Sequence, residues 1–308
     1  LTEAAPPEAP YLAVHTRPWP GVAAVYRSAT LDGFARLAEV GSPAGVGTLA
    51  FDLYPGPVSR FDRANEAYVD LVSGSLRSIT DVELFAGGNP LALETAPGVW
   101  EVLQAAEAEL ISPGRYRLSR LLRGQRGTES AQGNPAPAGA RVVLLDQNVV
   151  PLPITRSELG IAYNWRVGPA SEPVASESYT AASFTPAGAG LRPFSVAHVE
   201  QPFRTPRVPG DLTIRWTRRS RAPAADSWLG LEVPMVEEVE AYEVEILDGA
   251  GAVLRTLSAS GPSVVYSGAA QTEDFGAPLG PGDALAVRIF QLSTAVGRGW
   301  PKSTTLYF

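Results

Sequence analysis

Thirty glycines and 28 prolines punctuate a chain of 308 residues, and no other feature narrows its fold as much. Both residue types interrupt helices and mark turns, so a helical bundle is excluded and many short strands are expected. Between the turn signals, runs of β-branched and aromatic residues recur at Tyr11 to His15, Gly21 to Tyr26, Gly47 to Leu53 and Tyr68 to Val72, and each is predicted as a strand. One short helix is predicted after Thr80, whose side chain can cap it while Glu83, three residues on, reaches back; Gly87 and Gly88 supply the stop. A hairpin is predicted where Ala106 to Ile111 and Arg115 to Leu121 flank Ser112-Pro113-Gly114, and a buried strand from Arg141 to Leu145.

The clearest period lies near the C-terminus. Leu212, Ile214 and Trp216 alternate with Thr213 and Arg215, Tyr242, Val244 and Ile246 with Glu243 and Glu245, and Leu285, Val287 and Ile289 with Arg288. Each set places apolar side chains on one face of a strand, and together they predict a β-sandwich. Arg288 is expected to pair across the sheet with Glu243 or Glu245. The fold class is therefore all-β: a Pro-rich linker over residues 1–10, a β-rich domain with a short helix over 11–150, a linker or wrapping arm over 151–192, and a sandwich over 193–308. The chain begins at Leu1 and its single Met is Met235, so it reads as a piece of a longer protein.

Hydrophobic residues at 45% with charged residues at 19% are enough for a sizeable core. A formal net charge of −7 argues against coating nucleic acid and leaves protein or glycan partners. Lys302 is the sole lysine, and the excess of Arg reads first as a GC-rich coding bias. With no Cys, disulfides, thiolate metal sites and Cys nucleophiles are excluded. Only His15 and His198 offer imidazole, and they fall in different predicted domains. No serine elbow, H-E-x-x-H, phosphate loop or calcium loop is present. No apolar run is long enough to cross a bilayer as a helix. No cofactor and no membrane insertion are expected.

Two groups of charged residues remain as site candidates. Paired carboxylates, Asp62 with Glu66, Asp70, and Glu107 with Glu109, could serve a glycosidase, although their alternation with apolar neighbours reads as solvated strand faces. Arginines run through Arg115, Arg117, Arg120, Arg123 and Arg126, with a second cluster at Arg215, Arg218, Arg219 and Arg221. On a hairpin, Arg115, Arg117 and Ser119 occupy the outward face. Arg115, Arg117, Arg123, Arg126, Arg218 and Arg219 are the candidate partner or glycan contacts. Trp228, after Asp226-Ser227, is added as an exposed aromatic, whereas Trp19, Trp100 and Trp216 are expected in the core.

The C-terminal order resembles a fibronectin type III domain: Trp216 on the second strand, a Tyr-bearing third strand, then Leu285-Ala286-Val287-Arg288-Ile289. Leu285 stands where that family usually has the Tyr of its corner, so the corner bond must be absent or replaced. The string Arg117-Leu118-Ser119-Arg120-Leu121-Leu122-Arg123-Gly124-Gln125-Arg126-Gly127-Thr128-Glu129 resembles the C-terminal region of the large tail protein of gene transfer agents and related siphophages. Val72-Ser73-Gly74-Ser75-Leu76, Trp100-Glu101-Val102-Leu103-Gln104, Asn164-Trp165-Arg166-Val167-Gly168-Pro169 and Trp216 to Trp228 fit it in the same order. In that family, often labelled host-specificity proteins, a glycoside-hydrolase-like barrel precedes this region. The resemblance implies a non-enzymatic virion protein at the tail tip or baseplate, in three copies, beside the hub and distal tail proteins and near host-surface glycan. An envelope-degrading hydrolase fragment and a glycan-binding module of a secreted protein are the alternatives.

Overall fold

The computed structural model describes residues 6–200, 207–222 and 233–308. Two compact units divide the chain, residues 1–190 and 191–308. Strands dominate both, as the all-β expectation requires. No helix among the described residues is long and apolar enough to cross a membrane.

The first unit contains β1 (Tyr11–Leu12), β2 (Ala23–Ser28), β3 (Ala35–Val40), β4 (Val46–Leu49), β5 (Ala67–Leu71), α1 (Asp81–Phe85), β6 (Pro90–Ala96) and β7 (Val99–Ser112). It continues with β8 (Arg115–Gln125), β9 (Arg141–Leu144), β10 (Val150–Pro151), β11 (Tyr163–Pro169) and β12 (Thr180–Phe184). Six of these close into an antiparallel barrel in the order β4-β5-β8-β7-β6-β9, with β9 returning to β4. Alternation does the sorting: along β6, Leu91, Leu93 and Thr95 are buried while their neighbours are half-buried or exposed. Leu49, Val69, Leu91, Leu93, Leu103, Leu118 and Val142 fill the interior. Each such side chain contributes about 1.5–3 kcal/mol on burial. The void left among them is about 10 Å³, so the barrel is a packed core with no room for a ligand.

The hairpin is longer than the sequence predicts, because β7 and β8 continue past the alternating stretch to clasp the barrel. Its turn is as expected: Ser112 pairs with Arg115, and Gly114 adopts φ +77°. A side chain at Gly114 would also place its Cβ 2.8 Å from the Leu71 carbonyl oxygen. The predicted helix forms with its capping box, Thr80 N donating to Glu83 Oε2 at 2.8 Å and Glu83 N to Thr80 Oγ1 at 3.3 Å. Gln104 Nε2 donates to the Leu84 and Gly88 carbonyls, both at 2.8 Å, and seats α1 on β7.

A four-stranded sheet in the order β12-β11-β2-β3 completes the unit. Two of its strands lie inside 151–192, so the expectation of a linker or wrapping arm is corrected there. The cause is Trp165 on β11, which packs with Ala23, Val25, Val40, Leu152 and Ile154 and draws its segment onto β2. Residues 6–10, expected as linker, are also tied in: Leu152 N donates to the Pro10 carbonyl at 2.9 Å, and β1 pairs with β10.

The second unit contains β13 (Leu212–Arg215), β14 (Tyr242–Leu247), β15 (Val253–Ala259), β16 (Ser263–Tyr266), α2 (Gly268–Phe275), β17 (Ala284–Ser293), β18 (Gly297–Arg298) and β19 (Lys302–Tyr307). β13 pairs with β16, and β15-β14-β17 forms the larger sheet, with β18 and β19 both pairing β17. Leu212, Ile214, Trp216, Tyr242, Val244, Ile246, Leu285, Val287 and Ile289 share one buried cluster, so the three predicted alternating strands face one core as expected. Arg288 pairs with Glu245, Nη1 to Oε2 at 3.2 Å, from directly opposite positions. Glu243 instead meets Arg298 at 2.6 Å. Leu285 is core, and no Tyr stands at its place. A buried Tyr266 hydroxyl donates to Asp274 on α2 at 2.6 Å, and Asp274 also accepts from Arg255 at 2.7 Å. That bond ties α2 back onto β16.

Candidate functional site

The arginine run maps onto β8 and the loop after it, and the register of β8 decides the fate of each side chain. Arg115 and Arg117 face outward as predicted. Arg115 makes a bidentate contact with Asp70 on β5, Nε and Nη2 each 2.6 Å from a carboxylate oxygen, and holds the Asp70 carboxyl below its usual range. Arg117 Nη2 lies 2.5 Å from Glu109 Oε2 and its Nη1 3.4 Å from Glu66 Oε1. Arg120, at φ +51°, turns instead to Asp81 at 2.6 Å and Glu107 at 3.6 Å. All five are exposed or partly exposed pairs, each contributing about 0.2–1 kcal/mol.

Arg123 is the correction. Predicted as a partner contact, it is buried, and its side chain and those of Glu101 and Asp62 are 0% exposed. Nε and Nη2 donate to the two oxygens of Glu101, both at 2.7 Å. Nη1 donates to the Tyr54 carbonyl at 3.0 Å and lies 3.5 Å from Asp62 Oδ2. Glu101 also accepts from Gly124 N at 3.0 Å. Asp62 Oδ1 accepts from Ala64 N at 3.2 Å and Asn65 N at 3.1 Å, and its Oδ2 from Asn65 Nδ2 at 2.8 Å. A Cβ at Gly56 would fall 1.9 Å from Asp62 Oδ2, so only glycine fits against this carboxylate.

The network has a structural purpose. The segment 51–66 lies along β8 through bridges Val58 to Arg123 and Asp62 to Leu121, and the ion cluster fastens that segment to β7 and β8. Three charges taken out of water are tolerable only when nearly every lone pair and proton is used, as here. Asp62, read from sequence as a solvated acid, is thereby committed to the core. Glu66 accepts from the Tyr68 hydroxyl at 2.7 Å, Glu107 from Ser119 at 2.6 Å, and Asp70 and Glu109 hold arginines. The candidate acid pairs are thus engaged in ion pairs and hydrogen bonds. Among the described residues no group of three or more His, Asp or Glu side chains could hold a metal ion.

Arg126 differs from its neighbours. It is exposed, stands at φ +58°, and makes no hydrogen bond or ion pair among the described residues. In the second unit, Arg218 meets Glu240 at 2.9 Å and also donates to the Val233 carbonyl. Arg219 lies over the Phe194 ring, 5.2 Å from its centroid, and Arg221 meets Glu237 at 2.9 Å. Trp228 lies outside the described residues. Trp216 is core, whereas Trp19 and Trp100 are half-buried. Phe51 and Tyr54, 56% and 57% exposed beside Arg115 and Arg123, were missed; nothing in sequence separates an exposed loop aromatic from a core one.

The fold and side chains define an all-β chain whose first unit is built on a small closed barrel. Residues 44–143 match the family model described as Rcc01698-like, C-terminal, and those limits nearly coincide with the barrel from β4 to β9. No curated protein matches the chain. Among solved structures, the glycoside hydrolase domain of Spr0440, Endo-D, from Streptococcus pneumoniae R6 aligns over 87% of this chain at 9% identity with a TM-score of 0.24. The chain spans 34% of that structure, and a likeness at this level carries no argument about fold or activity.

Proposed function

We propose that this chain is a structural component of a phage-like or gene-transfer-agent tail tip, located in the particle and contacting other tail proteins, the hub and distal tail among them. The single observation that carries this reading is the family match over 44–143, the span that folds as the barrel. Two features support it. The barrel interior is occupied by its own side chains, and the acids that would have to act in an enzyme are tied to arginines and backbone amides. Fold alone does not decide function, so the reading rests on the match. In this role the barrel is a rigid mount, its outer faces and loops contact neighbouring proteins or host-surface glycan, and exposed Arg126, without a hydrogen bond or ion pair among the described residues, is one of the cations open to them.

Labelling particles with an antibody to residues 191–308 tests it. Label at the tail tip is expected; label elsewhere, or absence of the chain from purified particles, would overturn it. Incubating the purified chain with peptidoglycan or capsule tests the enzymatic alternative, and release of soluble fragments would displace the structural reading.

A further inference from the structure

The four-stranded sheet of the first unit carries a cleft of about 440 Å³, within the roughly 300–1,000 Å³ of ordinary small-ligand sites. Register explains its shape. Directly opposed residues of an antiparallel pair share a face, so Asn164 and Arg166 on β11 lie beside Ser183 and Ala181 on β12. The small, exposed pair on β12 makes a low floor, and the loop between β2 and β3 raises Leu31 and Phe34 beside it. Two contacts fix that loop. Asn164 Nδ2 donates to the Thr30 carbonyl at 3.0 Å, and the Arg166 guanidinium lies over Phe34, 5.1 Å from the ring centroid.

Arg166 is half-buried, and no acid lines the cleft with it. Its Nη1 donates to the Val174 carbonyl at 2.7 Å, while Nε and Nη2 have no protein partner among the described residues. Elsewhere in this chain that edge of the guanidinium is committed: Arg115, Arg123, Arg141 and Arg255 each turn Nε and Nη2 to a single carboxylate. Arg166 keeps the same fork, the one that matches a carboxylate in shape and charge, open in a cleft. Asn164 Oδ1 and Ser183 Oγ also make no hydrogen bond among the described residues.

We propose that this cleft binds a carboxylated sugar, a uronic or sialic acid unit of a surface glycan. The carboxylate meets Nε and Nη2 of Arg166, ring hydroxyls meet Asn164 Oδ1 and Ser183 Oγ, and the apolar edge of the ring lies toward Leu31 and Phe34. A neutral sugar leaves the guanidinium unpaired; a peptide carboxylate leaves the amide and the hydroxyl unused. The site gives the tail-tip reading its glycan contact and rests on that reading for where the glycan is met, whereas the binding itself is a property of the purified chain.

Saturation-transfer NMR and isothermal titration of the purified chain test it, with digalacturonate, methyl β-glucuronide and N-acetylneuraminic acid as probes. At least one of the three is expected to bind and to shift the amide signals of Asn164, Arg166 and Ser183. The neutral counterpart of that sugar should bind about tenfold or more weakly, the scale of one charge-assisted contact. Arg166→Gln, which keeps a donor for Val174, should lose as much. Ser183→Leu fills the cleft from an exposed position and should abolish binding with the rest of the amide spectrum unchanged, so it reads the site even where Arg166→Gln folds poorly. Arg126→Gln should bind as the parent does. No binding by any of the three at millimolar concentration, equal binding of the neutral sugar, intact binding in Ser183→Leu, or a triglutamate peptide that competes as well as the sugar would each overturn the assignment. Sugar binding without label at the tail tip keeps the site and removes the tail-tip reading; label without binding does the reverse.

Discussion

Arg123 and Arg115 sit eight residues apart on the same strand and answer for very different energies. Replacing Arg123 by Met leaves the Glu101 and Asp62 carboxylates facing each other out of water. The expected loss is about 3–5 kcal/mol, as for breaking a buried ion pair. Replacing Arg115 by Ala removes an exposed pair and should cost less than about 1 kcal/mol. Urea unfolding followed by tryptophan fluorescence measures both, and equal losses would mean that the cluster is not buried in solution. Glu83 provides a titration. Its carboxyl is held down to about 2 by Arg77 and by the Thr80 capping contacts. Because its folded pKa is depressed, its contribution to α1 is complete above the unfolded value of 4.5 and is lost as pH falls through about 2. The Glu83 carboxyl carbon shift should titrate with a midpoint near 2, and a midpoint near 4.5 would show that the capping box does not persist.

At the level of elements, the β7–β8 turn depends on one residue. Gly114→Ala forces a side chain into a left-handed backbone and against the Leu71 carbonyl, and should cost about 1 kcal/mol or more in chemical denaturation. That turn was legible in sequence because Pro and Gly declare their geometry locally, and so were the α1 cap and the alternation of β13, β14 and β17. β12 was not, since five exposed residues carry no apolar and polar contrast to read. β11 was hidden for another reason. Tyr163, Trp165 and Val167 do alternate, but Pro, Ser and Ala surround them, and their partner β2 lies far back in the chain. The arginine run was visible as composition, while the division into surface and buried members was not. Glu101 and Asp62 stand 22 and 61 positions before Arg123, and only barrel register brings them together.

The molecule divides into units with separate hydrophobic clusters, so residues 191–308 expressed alone should give a dispersed amide spectrum and one cooperative transition. A collapsed, poorly dispersed spectrum would mean that this cluster is insufficient by itself. The barrel has a different consequence, one of timing. β4 receives its second neighbour only when β9 arrives, Val46 joining Val143. At roughly 5–20 residues per second on the ribosome, the 97 positions from Val46 to Val143 (143 − 46) take roughly 5–20 s to make. Throughout that interval the nascent chain carries a half-zipped sheet in the open, and its yield in a cell depends on what holds that seam apart from other seams until the last strand emerges.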